Sequence, residues 1–420
     1  MVASTFLALL FVGVPIAVVL GISAMVYIGV SGNAVLYLSF PQQFFGGLEK
    51  YGLLAIPLFM LVGELMNEGG ITRRLVSLAS AFVGAVRGGL AYINILANML
   101  LASIVGSANA QVAVMSQVMV PAMHEKGYDR GFATATTAAG ALLAPVIPPS
   151  MLFVIYGVLA QISIGDLFIA GIIPGLLMAV GFMGVIALLG FVYNYPPGER
   201  LTLAEKARNV LAGLPSMLVP AVIIGGIIGG LTTPTEAAAL GAAMAVVVGK
   251  YAHGEIRFER MGAMLLRVAT NTAVVLVLVA AANVFGWIIV YEELPQTLTV
   301  YLQSLTQDPF LFMLLINVLL LAIGTVIDGI AALIILVPIL LPVAQSTYGI
   351  DPFHFGVVIC INLVLGLLTP PVGAALYVAS RVTGVNPGAI FKALLPFLLV
   401  TAAVLVVISW QPHLVTVFIQ

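Results

Sequence analysis

Apolar residues run through most of this chain for the length of a membrane crossing at a time, and charges mark where the runs end. The interruptions fall at residues 49–50, 73–87, 125–130, 166, 199–208, 250–267, 292–308, 351 and 381–392. Between them lie about ten stretches of spanning length, at ~17–25 residues each. The runs are rich in Leu, Val, Ile and Ala and lack the period-two alternation of outer-membrane strands, so they predict helices. Residues 1–22 are apolar from the start with no basic segment ahead of them. That predicts a retained first membrane helix rather than a cleaved signal peptide.

Two runs have the wrong length for one crossing. Residues 88–123 carry no formal charge, and residues 309–345 carry only Asp328, near the middle. A single helix of that size would be ~54 Å long against a hydrocarbon core of ~30 Å, and two full crossings would need ~20 residues each plus a turn. Each run has a polar or glycine-containing break at its centre, Ser103-Ile-Val-Gly-Ser107 in one and Gly324-Thr-Val-Ile-Asp328 in the other. The pattern predicts two re-entrant hairpins built from half-helices of about fifteen residues. Downstream of each, a helix is interrupted: Gly140-Ala-Leu-Leu-Ala-Pro145-Val-Ile-Pro148-Pro149-Ser150 and Asn362-Leu-Val-Leu-Gly366-Leu-Leu-Thr369-Pro370-Pro371-Val-Gly373. Tandem prolines remove two amide donors and clash with preceding carbonyls, so the helix must open.

The two halves resemble each other. At an offset of 222, Gly127 matches Gly349, Asp129 matches Asp351, Pro148-Pro149 matches Pro370-Pro371 and Pro174 matches Pro396; at 221, Pro121 matches Pro342, and Ser103 and Ser107 fall on Gly324 and Asp328. The matched residues are largely those that break helices. Charge relates the halves. Arg73, Arg74 and Arg87 precede the first hairpin and Lys126 and Arg130 follow it, whereas Glu292, Glu293, Asp308 and Asp351 flank the second. One crossing later the signs swap, with Asp166 in the first half and Arg381 and Lys392 in the second. Under the positive-inside rule the first hairpin enters from the cytoplasm and the second from outside. The prediction is an inverted-topology repeat, with both termini on the periplasmic side.

Composition agrees. The chain is 62% hydrophobic and 7% charged, against about 45–50% and about 25% in soluble domains, and its mean hydropathy is +1.20. This is an integral membrane protein. With 15 basic and 16 acidic residues it offers no basic face to a nucleic acid. Cys360 is the single cysteine and the four histidines form no ligand pair at helical spacing, which removes a disulfide framework and a cysteine-based metal site. No intramembrane Asp pair, His-Glu-x-x-His or Ser/His pair supports an intramembrane enzyme.

Irregular backbone at membrane depth survives only where it lines protein or a wet cavity. Its freed carbonyls are hard oxygen ligands that a small cation such as Na⁺ satisfies. Two candidate cation sites follow, one around Ser103, Ser107, Gly140 and Pro145, the other around Gly324, Asp328, Gly366 and Thr369. The plain alternative is a pair of proline kinks packed against neighbours; their symmetric placement beside hairpin tips favours ions. Asp328 would cap the second half-helix and also neutralise Na⁺, because an unpaired carboxylate at depth costs at least ~2.5 kcal/mol. Candidate substrate contacts are Asn98, Asn109, Ser150, Asn362 and Arg381, set against inter-helix glue for Asn98 and Asn362, an ordinary cap for Asn109, as for Ser103 and Ser107, and snorkelling for Arg381. Thr232-Thr-Pro-Thr-Glu236 reads as a helix start, with Thr233 as N-cap, Pro234 at N1 and Glu236 structural.

The run Gly106-Ser-Ala-Asn-Ala…Val120-Pro121…Lys126-Gly-Tyr-Asp129 and then Ala144-Pro-Val-Ile-Pro-Pro-Ser150 resembles one signature block of a known family. Pro338-Ile-Leu-Leu-Pro342…Gly349-Ile-Asp-Pro-Phe-His-Phe-Gly356 with Gly366-Leu-Leu-Thr-Pro-Pro-Val-Gly373 resembles a second, and Thr232-Thr-Pro-Thr-Glu-Ala237 a third. The family is the large membrane subunit of tripartite ATP-independent periplasmic (TRAP) transporters, and the resemblance covers essentially the whole chain. It implies a Na⁺-driven importer of an organic acid, sialic acid or a C4-dicarboxylate-like carboxylate, in the bacterial inner membrane. It also implies a periplasmic substrate-binding protein and a separate small four-helix membrane subunit as partners. Family members look like elevators. The expected scaffold is residues 1–86 and 196–308, and the expected transport domain is 87–195 with 309–420. No Lys or Arg lies in either hairpin or near the Pro-Pro breaks. The charge of a carboxylate substrate would then fall to half-helix N-termini, at ~+0.5 charge each, and to Na⁺ bound alongside. The rival reading is a stand-alone Na⁺/dicarboxylate symporter, a family that places Ser-Asn-Thr triplets at its tips where this chain has Gly-Ser-Ala-Asn and Thr-Val-Ile-Asp.

Overall fold

Gly13, at φ 83°, and Pro15 divide the first apolar run into α1 (Val2–Phe11) and α2 (Ile16–Ser31), so the single helix expected over residues 1–22 does not form. A left-handed glycine ends a helix readily and a proline two residues on cannot continue it. The computed structural model describes residues 1–33, 35–83, 86–193, 195–198 and 201–419, apart from the side chains of Ile104 and Val105. After α3 (Val35–Gly46), a 3₁₀ turn leads into α4 (Ala55–Glu68), and Gly70 at φ 66° turns the chain into α5 (Ile71–Phe82). Helix α5 is amphipathic and buries Ile71, Leu75, Leu78 and Ala79, one stripe at helical spacing.

The uncharged run then folds as two packed helices, α6 (Gly89–Val105) and α7 (Ala108–Glu125), turned by Gly106 in the left-handed region. The interrupted helix is α8 (Arg130–Ala141) and α9 (Met151–Ala160), and α10 (Ile164–Tyr193) closes the half. Next come α11 (Leu203–Ile228), α12 (Pro234–Val247), α13 (Phe258–Tyr291) and the short amphipathic α14 (Leu294–Leu305). Thr233 caps α12 in a reciprocal capping box with Glu236 and Pro234 follows the cap, so the helix start lies where the sequence predicts. The order of hairpin, broken helix and long helix then repeats: α15 (Pro309–Gly324) with α16 (Gly329–Tyr348), α17 (Pro352–Gly366) with α18 (Ala374–Thr383), and α19 (Pro387–Trp410), before a last turn, α20 (His413–Thr416).

Sequence-matched residues occupy matched places. Asp129 caps α8 by accepting from Phe132 N at 2.9 Å, and Asp351 caps α17 by accepting from Phe353 N and His354 N. Gly127 and Gly349 both hold positive φ two residues earlier. Pro121 and Pro342 lie inside α7 and α16, and Pro174 and Pro396 inside α10 and α19. The hairpin arms are 17, 18, 16 and 20 residues long, somewhat more than the fifteen expected.

The two hairpin-bearing segments interlock. Helix α7 packs on α18 and α16 on α9, so each hairpin leans on the broken helix of the other half; α8 packs on α19 and α10 on α17. Tyr156 of α9 lies against Gly356 of α17, which has no side chain to obstruct the ring, and donates to the Pro352 carbonyl at 2.6 Å. Around this body, α2 packs on α13, α4 on α12 and α5 on α11, and the two groups meet chiefly where α5 faces α6 and where α13 and α14 face α16, with α4 also touching α6 and α9. The straps joining them are themselves tied. Gly88 N donates to the Pro196 carbonyl and Gly198 N to the Val86 carbonyl, an isolated extended pairing. Tyr195 stacks on Phe132 at 4.4 Å and on Tyr128 at 5.4 Å.

Among the described residues, six helices are long and apolar enough to cross a membrane, or seven if α14 and α15, bent by 115°, count as one. That is fewer than the ten runs read from the sequence, because glycine and proline cut several runs into shorter helices.

Candidate functional site

The tips of the two hairpins converge. Ser107 and Asn109 from the first and Asp328 and Gly329 from the second line one cavity of about 50 Å³, closed by Pro145 and Leu367 from the two helix interruptions. Asp328 caps α16, its Oδ2 accepting from Ile330 N at 3.1 Å. A carboxylate has about four lone-pair sites, so capping leaves capacity for a cation. Asn109 Oδ1 is buried without a hydrogen-bond partner. Such an oxygen costs roughly 1–3 kcal/mol while unpaired, which makes it a ready ligand. The Pro145 carbonyl accepts from Ser150 Oγ at 2.6 Å and keeps a second lone pair. Among the described residues no three His, Cys, Asp or Glu side chains cluster. An ion here would be held by carbonyl, amide and hydroxyl oxygens with one carboxylate, a donor set suited to Na⁺ and poor for a transition metal.

The other expected residues do not line this cavity. Ser103 Oγ donates to the Leu100 carbonyl of its own helix. Gly140 faces Asn98, whose Cγ would stand 2.8 Å from any Cβ added there. Gly324 and Gly366 meet backbone to backbone, and Thr369 Oγ1 donates to the Leu365 carbonyl. Asn98 donates to Asn94 and accepts from Gln111 Nε2, tying α6 to α7. Asn362 donates to Asn317 Oδ1 at 2.9 Å, tying α17 to α15, while its own Oδ1 is buried and unpartnered. Ser150 caps α9, accepting from Phe153 N. Arg381 is exposed near the end of α18 and lines neither this cavity nor the larger one beside it.

That larger cavity, about 380 Å³, shares Ser107, Met151 and Ile330 with the small one. Its opposite wall comes from α4 and α13, including Glu64, Asn67 and Asn271, with Thr72 from α5. Arg267 reaches Glu64 Oε2 at 3.1 Å and Glu68 Oε1 at 2.9 Å across the α4–α13 contact. None of these wall residues is among those expected from the sequence. Their signal was available: Glu64, Asn67 and Glu68 share one face of an otherwise apolar helix, as do Arg267 and Asn271.

A multi-pass, all-helical membrane protein folded as an internal repeat, with both hairpin tips at one cavity, has the architecture of a membrane transporter. The fold matches the crystal structure of the Alcanivorax borkumensis YdaH transporter with a TM-score of 0.64 over 90% of this chain and 88% of that one, at 17% identity, a likeness of fold alone. Residues 3–414 match the family model described as tripartite ATP-independent periplasmic transporter, DctM component, and the chain belongs to this family. It is 39% identical to the sialic acid TRAP transporter large permease protein SiaM of Vibrio cholerae, covering 98% of this chain and 97% of that one. It is 37% identical to the C4-dicarboxylate TRAP transporter large permease protein DctM of Pseudomonas aeruginosa over 92% of each. Against the isethionate TRAP transporter permease protein DctMQ of Oleidesulfovibrio alaskensis, identity is 39% over 97% of this chain and 64% of that protein. These relatives are permeases, not enzymes.

Proposed function

We propose that this chain is the membrane permease for Na⁺-coupled uptake of an organic acid across the bacterial inner membrane. A periplasmic binding protein delivers the acid, and a small membrane subunit completes the complex. The observation that carries the reading is the convergence of both tips on one small cavity with a carboxylate and an orphaned amide oxygen, opening beside a cavity large enough for a small organic molecule. Sodium sits among Ser107, Asn109, Pro145 and Asp328. Its charge and the N-termini of α7 and α16 offset the charge of the acid, so affinity for the acid requires sodium. The relatives' names support an anionic substrate: sialic acid, a C4-dicarboxylate and isethionate are all acids. Both hairpins are re-entrant, the termini are periplasmic, and segments 87–195 and 309–420 move as one body against 1–86 and 196–308.

The test is uptake by proteoliposomes holding the permease and its small subunit, with an imposed Na⁺ gradient and candidate binding proteins outside. Accumulation of an organic acid that needs both the gradient and a binding protein is the expected result. Accumulation indifferent to sodium would defeat the coupling.

A further inference from the structure

A second cleft, about 400 Å³, adjoins the 380 Å³ cavity through Asn67, which lines both. Its other walls are Glu68, Arg73, Gly254, Glu255, Arg257 and Arg260, without a single apolar side chain. Its charges are unevenly matched. Glu68 is held by Arg267 at 2.9 Å and Glu255 by Arg74 at 2.7 Å, and neither arginine lines the cleft. Glu255 is therefore matched by a cation outside the cleft, while Glu68 shares Arg267 with Glu64, which leaves one carboxylate charge over between them. Arg73, Arg257 and Arg260 are exposed and, among the described residues, have no carboxylate partner. Three guanidinium groups without a carboxylate partner thus rim a polar cleft that adjoins, at Asn67, the chamber between the hairpin tips and α4 and α13. The Arg74–Glu255 pair also brings the basic segments 73–87 and 250–267 to one face, the cytoplasmic face under the positive-inside rule.

We propose that this cleft is the cytoplasmic release vestibule, a second binding station for a small carboxylate anion on its way out of the tip cavity. The inference rests on the transport reading above. Arg73, Arg257 and Arg260 draw the anion past Asn67 from a chamber whose scaffold wall carries Glu64, and a guanidinium suits a carboxylate because its planar donors match both oxygens. A lining without apolar side chains fits a soluble anion and gives nothing for the acyl chains of a lipid. The three guanidinium groups outnumber the one carboxylate charge left over in the Glu64–Glu68–Arg267 cluster, and a cleft with such an excess of one sign raises the local concentration of the opposite ion by about tenfold or more, an effect that salt screens.

The test needs no transport. Asn67→Cys is made in the full chain within its complex, and inside-out vesicles are treated with thiosulfonate reagents of opposite charge, sulfonatoethyl and trimethylammonioethyl. Cys360 is fully buried and the parent protein serves as the blank. The anionic reagent should react faster by about tenfold at low salt. The ratio should fall to near unity with Arg73→Gln/Arg257→Gln/Arg260→Gln and persist in the corresponding Lys triple, which also shows that the cleft still folds. Malonate should slow labelling, in vesicles with or without phosphatidylglycerol. A ratio near unity in N67C alone, or one that survives the Gln triple, overturns the proposal. So does loss of the preference on adding phosphatidylglycerol with no protection by malonate, because the arginines would then hold a lipid headgroup. Absent Na⁺-driven uptake in the same preparation counts against the transport reading and leaves the labelling ratio to be judged by itself.

Discussion

Gly366 of α17 lies directly on the backbone of Gly324 at the end of α15: a methyl group on Gly366 would stand 2.5 Å from the Gly324 carbonyl carbon. The second hairpin and the second broken helix therefore touch through two residues without side chains, one turn from the tip. Gly366→Ala must push α15 off α17, at about 1–3 kcal/mol by the usual cost of overpacking. Because the displaced backbone leads straight to Asp328, Na⁺-dependent uptake should fall more steeply than stability. Gly324→Ala meets its neighbours at 3.4 Å and should be milder. Thermal unfolding in detergent and uptake, measured on both variants, check the order; a harsher Gly324→Ala would refute the geometry.

Asp328 can be asked separately for its capping and its charge. Asparagine caps a helix about as well as aspartate, whereas alanine loses ~1 kcal/mol. Asp328→Asn should keep the melting temperature while raising the sodium needed for half-maximal uptake by about tenfold, equivalent to ~1.4 kcal/mol. Asp328→Ala should lose both. An Asp328→Asn protein with an unaltered sodium requirement would leave Asp328 as a cap only.

The charge asymmetry between the halves predicts that residues 126–130 face the cytoplasm and residues 346–352 the periplasm. A Cβ added at Gly127 or Gly349 meets no atom within 4 Å, and the positive φ at both makes each cysteine a strained residue whose expression level is matched before labelling. An impermeant maleimide added to intact cells should label Gly349→Cys and spare Gly127→Cys. Labelling of both from outside would mean that the repeat is not inverted.

Relative motion of the two bodies can be tested with one disulfide across their boundary and one within the hairpin-bearing body. A Cβ on Gly286 of α13 would lie 3.4 Å from Pro338 Cβ of α16, and one on Gly181 of α10 would lie 3.6 Å from Val400 Cβ of α19. Both are close to disulfide spacing, where Cβ atoms sit about 3.5–4.5 Å apart. Oxidised Gly286→Cys/Pro338→Cys should stop uptake and recover it on reduction, while oxidised Gly181→Cys/Val400→Cys should transport near the rate of its reduced form. Undiminished transport by the first oxidised pair would rule out sliding between α13 and α16.

The breaks in this fold were legible because each is spelled locally. Gly106, Asp328 and the two Pro-Pro pairs stop helices by their own backbone chemistry, and the structure turns at those places. The opening of the chain was misread for the same kind of reason: Gly13 and Pro15 carry the signal, but the apolar run around them conceals it. The α4–α13 wall of the large cavity was not legible. Glu64 and Asn271 are some two hundred residues apart, and only the packing of α4 beside α13 puts them opposite Ser107. Likewise the sequence places Ser103 and Gly140 near the first tip, but helix geometry returns the Ser103 hydroxyl to Leu100 and fills the space at Gly140 with Asn98.

The pairing of residues 86–88 with 196–198 makes two straps into a single anchorage, pressed to α8 by the ring of Tyr195. The remaining strap, at residues 306–308, belongs to the other half of the repeat. If the hairpin-bearing segments move as one body, two such pivots leave it one easy freedom, a swing about the line between them. Its stroke would then be set by lever arm and swing angle rather than by how far a free tether can stretch, and the pivots would be the few backbone residues that absorb the turn.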